Sequence, residues 1–472
     1  MSTAQAPTPE AAASSGPELG SGLKTRHLTM MGLGSAIGAG LFLGTGVGIS
    51  IAGPAVLLAY IAAGIIVVFV MQMLGEMAAA RPRSGAFAAY AEMAFGHWAG
   101  FSLGWLYWFM LIMVMGAEMT GAAAIMGAWF GTDPWVPALI CVVLFAVVNL
   151  LQVRGFGEFE FWFAFIKVAV IAIFLVIAFL MVFGLLPGHE FVGTKNFIGE
   201  HGFMPNGITG VAGGLLAVAF AFGGIEIVTI AAAESEKPAE AIAAATRSVV
   251  WRISLFYLGS VLAITFLMPY DKIGGASSAA ESPFTIILRG AGIPGAAVLM
   301  EVVIVLALLS AFNAQIYATS RLVYSFAVKG DAPGFFARLN RFKVPNNAVM
   351  LSMFFAFVSV GLQYWNPAGL LEFLLNAVGG CLVVIWLMIC FSHLKLHREM
   401  EANGELSVRM WGFPVLPWVT VAALLGLTVL MLFDDATRSQ ITSVAVVYGF
   451  LVALSFVIRA IVLRRRAAAG TA

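Results

Sequence analysis

The chain alternates between long apolar stretches and short polar segments from residue 28 to residue 463. Each apolar stretch is near or above the roughly 20 residues that an α-helix needs to cross a bilayer. We count twelve, at about 28–51, 53–78, 97–127, 135–153, 160–184, 208–232, 249–269, 294–323, 345–363, 369–392, 414–433 and 440–463. The pattern predicts an all-α polytopic membrane protein with 12 transmembrane helices.

The composition agrees with this pattern. Of the 472 residues, 61% are hydrophobic and 10% are charged, whereas soluble domains carry about 25% charged residues. A soluble protein is therefore excluded, and the net charge of +1 indicates no nucleic-acid partner. Cys141, Cys381 and Cys390 all fall within predicted spans, so neither a disulfide nor a CxxC metal site is expected.

Lys and Arg are distributed unevenly among the predicted loops. With the N-terminus placed inside, nineteen of the 25 basic residues lie on that side and four on the other, while Lys167 and Arg459 fall within spans. The positive-inside rule therefore places both termini in the cytoplasm, as an even number of spans also requires. Residues 1–27 are predicted to form a disordered cytoplasmic tail, because residues 1–22 are rich in Ala, Ser, Pro and Gly. They lack the charged start and apolar core of a signal peptide.

The first span contains GLGSAIGAGLFLGTGVG at 32–48, with seven glycines, although each costs about 1 kcal/mol relative to alanine inside a helix. A dinucleotide-binding loop is excluded, because no strand precedes the glycines and no soluble βαβ unit follows them. Two explanations remain. The glycines at 40, 44 and 48 have the spacing of close helix packing, or the helix is interrupted to leave bare backbone for a ligand.

A second stretch, FAFGGIE at 220–226, favours interruption. It lies in the middle of the sixth span and ends on a carboxylate. Glycine-interrupted segments at matching places in two halves of a chain are typical of transporters built from inverted repeats. Unwound backbone there can offer amides to an anion and carbonyls to a cation, and a zwitterionic amino acid needs both. Packing remains a second role for the glycines.

Six stretches together carry a family resemblance. They are LKTRHLTMMGLGSAIGAGLFLG (23–44), AGPAVLLAYIAAG (52–64), GEFEFWFAFIKV (157–168), FMPNG (203–207), GGIEIVTIAAAESEKP (223–238) and RLVYSFAVKGDAP (321–333). The ordered set resembles the bacterial amino acid transporter family of the amino acid–polyamine–organocation superfamily. IVTIAAAES, VVWRISLFYL and VRMWGFPVLPW are most similar to γ-aminobutyrate permeases, whereas AEMTGAAA (117–124) is more similar to aromatic, proline or lysine carriers.

The resemblance implies a sodium-symporter-like 5+5 inverted repeat. A ten-helix transport core (28–392) would comprise repeats 28–184 and 208–392, followed by a cytoplasmic loop (393–413), two helices (414–466) and a short tail (467–472). It implies a multi-pass protein of the bacterial inner membrane that imports an amino acid, γ-aminobutyrate or another neutral one, by proton symport and alternating access. An exchanger and a transporter-like nutrient sensor remain alternatives. Enzyme activity and a nucleotide requirement are not expected.

The resemblance also implies which positions bind substrate. Gly38, Ala39 and Gly40 would present amides to its carboxylate, carbonyls around Phe220 and Gly223 would receive its amino group, and Phe220 would close over it. The full set of expected substrate-binding positions is Ala36, Ile37, Gly38, Ala39, Gly40, Phe220, Phe222, Gly223 and Gly224. Packing of the Phe220 ring against neighbouring helices is the alternative for that residue.

Three ionisable side chains within spans are expected to take part in proton coupling. The resemblance places Lys167 where sodium-coupled relatives hold their cation, and a desolvated lysine can release and regain a proton. Its alternative is snorkelling to the membrane surface. Glu118 and Glu226 could each titrate during transport, or each could anchor irregular backbone through hydrogen bonds. Ionisable groups at such depth are costly and mark functional positions.

Other candidate chemistry is limited. His393 and His397 are four residues apart on one predicted helix, but the residues between them, LKL, lack the glutamate of an HExxH zinc site. No metal and no cofactor are therefore expected. The basic segment 329–343 is predicted to contact anionic membrane lipid.

Overall fold

The computed structural model describes residues 37–81, 86–151, 156–199, 202–223, 240, 250–251, 253–273, 282–340, 344–433 and 435–468. These residues form helices and turns and contain no strand. The α-helices in chain order are α1 Ala39–Phe42, α2 Gly44–Ala52, α3 Val56–Ala80, α4 Ala86–Phe95, α5 His97–Phe130, α6 Trp135–Leu151, α7 Phe156–Val182, α8 Lys195–Ile198, α9 Gly207–Ala221, α10 Gly259–Leu267, α11 Pro283–Gly290, α12 Ala296–Lys329, α13 Asn346–Trp365, α14 Leu370–Ala402, α15 Val415–Met431 and α16 Asp435–Ala468. A π-helical turn, Ile253–Leu258, leads into α10.

Every predicted apolar stretch contains helix in the described part of the chain. Seven helical segments there are long and apolar enough to cross a membrane, and four more are apolar but shorter. Helices suit these sequences because all backbone hydrogen bonds are satisfied within the segment, as a hydrocarbon environment demands. The all-helical, multi-span class is thereby confirmed, while the count of twelve crossings and the repeat layout stay predictions.

Burial separates an inner set of helices from an outer set. The apolar windows of α5 and α14 are 72% and 78% buried, whereas those of α7 and α16 are only 28% and 17% buried. The outward side chains of α7, such as Trp162 and Phe179, are large and apolar, as lipid contact requires. The core therefore lies around α5, α9, α12 and α14.

Three of the helices were not predicted: the four-residue α8, between the fifth and sixth predicted spans, and two longer ones. α4 lies between the second and third predicted spans, and α11 lies between the seventh and eighth. Pro283 is the first residue of α11, a position where proline is favoured because its missing N–H is not needed. The Ser282–Pro283 pair was thus an available signal for α11.

Several glycines of the first span do serve helix packing. α2 lies against α9, and a Cβ on Gly48 would lie 3.1 Å from Val56 Cγ2 and 3.7 Å from Val218 Cγ2. A Cβ on Gly214 of α9 would in turn lie 3.1 Å from Ala52 Cβ. Close packing therefore explains the glycine at position 48.

Candidate substrate site between the first and sixth helices

In the described part of the first predicted span, helix begins at Ala39. Ile37 and Gly38 are not helical, and Gly38 has φ −150° and ψ −144°, an extended conformation. Helical hydrogen bonding begins where Leu41 and Phe42 donate to the Gly38 carbonyl, each at 3.2 Å. The backbone N–H of Ala39 lies at this start, so it has no carbonyl within the helix to bond.

Glu118 of α5 accepts the hydrogen bond of that amide. Ala39 N donates to both carboxylate oxygens of Glu118 at 3.1 Å, and the Glu118 side chain is buried. A Cβ on Gly38 would lie 2.5 Å from Glu118 Oε1. Glycine at 38 is therefore what allows the carboxylate to reach the backbone of the first helix.

Gly40 lies against the end of α9, the helix of the sixth predicted span. α9 ends at Ala221, and a Cβ on Gly40 would lie 2.7 Å from Ala221 Cα and 3.0 Å from Phe220 Cδ1. Ala221 Cα is a backbone atom, so it cannot move aside as the end of a flexible side chain could. The two expected substrate segments are thus brought together at Gly40 and Ala221.

The end of α9 is held by residues that sequence reasoning missed. Tyr257 donates its hydroxyl to the Ala221 carbonyl at 2.8 Å. The Phe222 ring lies 5.5 Å from the Tyr257 ring and 6.1 Å from the Tyr60 ring, centroid to centroid. Tyrosines within apolar spans were an available signal, since a buried hydroxyl needs a hydrogen-bond partner.

Two further polar contacts fix the first helix. Tyr60 of α3 and Thr45 of α2 share a buried hydrogen bond of 3.0 Å. Ser282, just before α11, donates to the Phe42 carbonyl at 2.8 Å, where α1 gives way to α2. Leu43 separates α1 from α2. One contact therefore holds each side of this break: Ser282 binds Phe42 before it, and Tyr60 of the next helix binds Thr45 after it.

Lys167 of α7 is 1% exposed and therefore does not snorkel to a surface in this structure. Its Nζ donates to Ser310 Oγ of α12 at 3.4 Å. The Lys167 ammonium is also close enough to interact electrostatically with the Glu118 carboxylate. One turn further along α12, Asn313 accepts a hydrogen bond from Asn149 at 2.7 Å.

The structure places most of the expected substrate-binding positions in one region. Ile37, Gly38, Ala39 and Gly40 lie beside Glu118 and α9, and Phe220, Phe222 and Gly223 surround the end of α9. The Gly223 amide donates to the Phe220 carbonyl at 3.0 Å. Ala36, Gly224 and Glu226 lie outside the described residues. The substrate and coupling roles assigned to these positions remain predictions.

The apolar, multi-span helical fold defines a multi-pass membrane protein. The chain belongs to the amino acid permease family, because residues 27–466 match that family. The resemblance read from the sequence is therefore confirmed.

Curated relatives cover almost the whole chain. It is 75% identical over 440 residues to the aromatic amino acid transport protein AroP of Corynebacterium glutamicum, covering 93% of this chain and 95% of the relative. It is 41% identical over 451 residues to the gamma-aminobutyric acid permease of Bacillus subtilis, covering 95% of each, and 41% identical over 428 residues to that of Escherichia coli. An amino acid transport function is thus supported, and the membrane is a bacterial one.

Proposed function

We propose that the protein imports aromatic amino acids by proton symport. The observation that carries the proposal is the contact of the buried Glu118 carboxylate with the Ala39 amide, beside the meeting point of Gly40 and Ala221. The choice of substrate rests on the relative that is 75% identical and is called an aromatic amino acid transport protein. The 41% identical γ-aminobutyrate permeases support a second candidate, γ-aminobutyrate.

The Ala39 amide gives a reason for coupling substrate to protons. A substrate carboxylate that binds this amide would come beside the Glu118 carboxylate, and two anions in a buried site repel each other strongly. Neutralising Glu118 by a proton, or moving it away, removes that repulsion. Proton binding and substrate binding would therefore favour each other.

Lys167 is the second participant in this coupling. Its ammonium lies within electrostatic range of the Glu118 carboxylate, so a proton taken up by Glu118 would change the charge balance at Lys167. The contact with Ser310 links the same lysine to α12. We propose that Lys167 and Glu118, with Glu226 as a further acid, carry the proton through the transport cycle.

Alternating access would use the contact between the two helix ends. Gly40 and Ala221 are in close contact; a substrate that binds between the two segments would separate them, and Phe220 would then close over it. Rocking of one helical repeat against the other would open the opposite side. In this scheme residues 28–184 and 208–392 are the two repeats, and both termini are cytoplasmic.

Uptake into proteoliposomes that contain no amino acid tests the proposal. An inward proton gradient should drive accumulation of labelled phenylalanine without sodium, and unlabelled tyrosine and tryptophan should compete better than γ-aminobutyrate. Stronger competition by γ-aminobutyrate would select the second candidate substrate. Uptake only after preloading with an amino acid would instead identify an exchanger, and binding without any transport would identify a sensor.

A further inference from the structure

Three buried side chains meet near the C-terminal ends of α3 and α14, far from the site described above. They are Glu76 of α3 and His393 and His397 of α14, which are 0%, 0% and 4% exposed. Along the sequence the histidine pair lacks a carboxylate between its members. The fold supplies one from a helix more than 300 positions earlier.

Both imidazoles direct a ring nitrogen at the same carboxylate oxygen. His393 Nε2 lies 2.9 Å and His397 Nδ1 lies 2.5 Å from the same oxygen, Glu76 Oε1. All three ligand atoms lie within 4.8 Å of one another. Two imidazole nitrogens and a carboxylate oxygen therefore converge within the reach of a single small ion.

A second layer of contacts orients two of these three groups. Met410 N donates to Glu76 Oε2 at 2.5 Å, which leaves Oε1 directed at the histidines. On the far side of the His397 ring, Nε2 lies 3.8 Å from a Glu401 carboxylate oxygen. The Phe413 ring stacks on His397 at a centroid distance of 3.6 Å. Backbone amides and carboxylates in such positions fix ligand orientation in metal sites.

The ligand chemistry selects the kind of ion. Two imidazoles and one carboxylate suit divalent transition metals such as zinc, whereas calcium and magnesium prefer sites made of oxygen alone. Tetrahedral bonds of about 2.0–2.2 Å place ligand atoms roughly 3.3 Å apart. Glu76 Oε1, now 2.9 and 2.5 Å from the two nitrogens, would need to withdraw by about half an ångström on average, and the nitrogens, within 4.8 Å of each other, would need to adjust to the same spacing.

We propose that Glu76, His393 and His397 form a binding site for one divalent transition-metal ion. The ion would lie where the imidazoles now hydrogen-bond to the carboxylate, and each liganding nitrogen would offer its lone pair in place of an N–H. It bonds directly to α3 and α14, and through the Met410 contact it also fixes the segment before α15. The site stands on side-chain geometry alone and does not depend on the substrate.

The expected effect on transport rests on the proposed function. α3 belongs to the first proposed repeat and α14 to the second, so an ion that joins them restricts their relative movement. Zinc added on the side of the membrane from which it can reach this site should therefore slow substrate uptake. Binding and uptake are measured separately, so failure of one is distinguishable from failure of the other.

Zinc binding to the untagged, full-length protein in detergent tests the site directly. Competition with a chromophoric chelator should give about one high-affinity Zn²⁺ per chain, and His393→Asn and His397→Asn should each weaken binding at least about tenfold. His97→Gln is the matched control, because it also removes a histidine that contacts a carboxylate, Asp331. Cys390→Ser controls for the thiol three residues before His393. Neither control should alter binding.

X-ray absorption of the zinc-loaded wild-type protein keeps the test independent of how the variants fold. The proposal predicts two imidazole ligands and one carboxylate at zinc. It is overturned if no stoichiometric zinc binds, if His393→Asn and His397→Asn bind zinc as the wild type does, or if the spectrum lacks two imidazoles. The three residues would then form a hydrogen-bonded ion pair and nothing more.

Discussion

Ala39 and Glu118 are joined across two helices: the backbone N–H at the start of the first helix donates to both oxygens of a carboxylate from the middle of α5, at 3.1 Å each. A partial positive charge gathers at such unsatisfied amides, so a buried carboxylate is a favourable partner. A substrate carboxylate needs the same kind of partner. In the proposed cycle the substrate carboxylate and the Glu118 carboxylate compete for this amide, and protonation of Glu118 favours the substrate.

Replacing Glu118 should separate anchoring from coupling. Glu118→Gln retains one acceptor for the Ala39 amide but cannot change its charge, so substrate exchange should persist while proton-driven accumulation is lost. Glu118→Ala leaves a buried amide unpaired at a cost of about 1–3 kcal/mol, so both activities should fall. Counterflow and gradient-driven uptake of phenylalanine measure the two activities.

Asp133→Asn is the control for Glu118, since this exposed acid lies just beyond the end of the same helix. It should leave both activities unchanged. Accumulation against a gradient by Glu118→Gln at the wild-type level would show that Glu118 serves only as an anchor.

Alanine at Gly40 should be far more harmful than alanine at Gly44. The added Cβ at position 40 would lie 2.7 Å from Ala221 Cα, whereas at position 44 the nearest atom is Ala217 O at an ordinary 3.4 Å. Overpacking costs about 1–3 kcal/mol, while alanine gains up to about 1 kcal/mol of helix propensity. Thermal unfolding should show Gly40→Ala destabilised and Gly44→Ala close to wild type. Equal behaviour of the two variants would contradict the contact between the helix ends.

Tyr257→Phe should loosen the end of α9. The change removes the hydroxyl that donates to the Ala221 carbonyl and keeps the aromatic ring beside Phe222. Leaving that buried carbonyl unpaired should cost about 1–3 kcal/mol of stability and weaken substrate binding. Tyr364→Phe, at an exposed position of α13, is the control and should have no effect. Thermal unfolding with and without phenylalanine measures both quantities.

The ion pair between Arg81 and Glu405 should give a pH-dependent contribution to stability. Arg81 donates to Glu405 at 2.6 Å and to Glu399 at 2.7 Å, and its hydrogen bond holds the pKa of the Glu405 carboxyl below its usual value. A carboxyl whose pKa is lowered by folding stabilises the folded state above its ordinary pKa of about 4.3, and this stabilisation disappears as the pH falls through the lower folded value.

Arg81→Gln should therefore lower the melting temperature at neutral pH by a small amount, and the difference from wild type should vanish in acid below the folded pKa of Glu405. Arg409→Gln is the matched control, because its pair with Glu401 is more exposed and such pairs contribute little. A difference in melting temperature between Arg81→Gln and wild type that grows as the pH falls would contradict a stabilising Arg81–Glu405 ion pair.

The helices could be predicted from the sequence because twenty-residue apolar runs have one stable arrangement in a membrane. The site could be predicted only in outline. Glycine-rich motifs located the regions around Gly38 and Phe220, but their partners Tyr257 and Ser282 come from other parts of the chain. No periodicity in the chain fixes which helices pack together. The His393–His397 pair shows this limit clearly, since its carboxylate is adjacent in space and remote in sequence.

Proton movement caused by substrate alone is the decisive test of proton symport. Proteoliposomes with a trapped pH-sensitive dye, equal pH on both sides and no internal amino acid would receive external phenylalanine. We predict acidification of the interior with wild-type protein, and none with Lys167→Ala or Glu118→Gln. Phenylalanine entry into wild-type vesicles without any acidification would contradict proton symport and the roles given to Lys167 and Glu118.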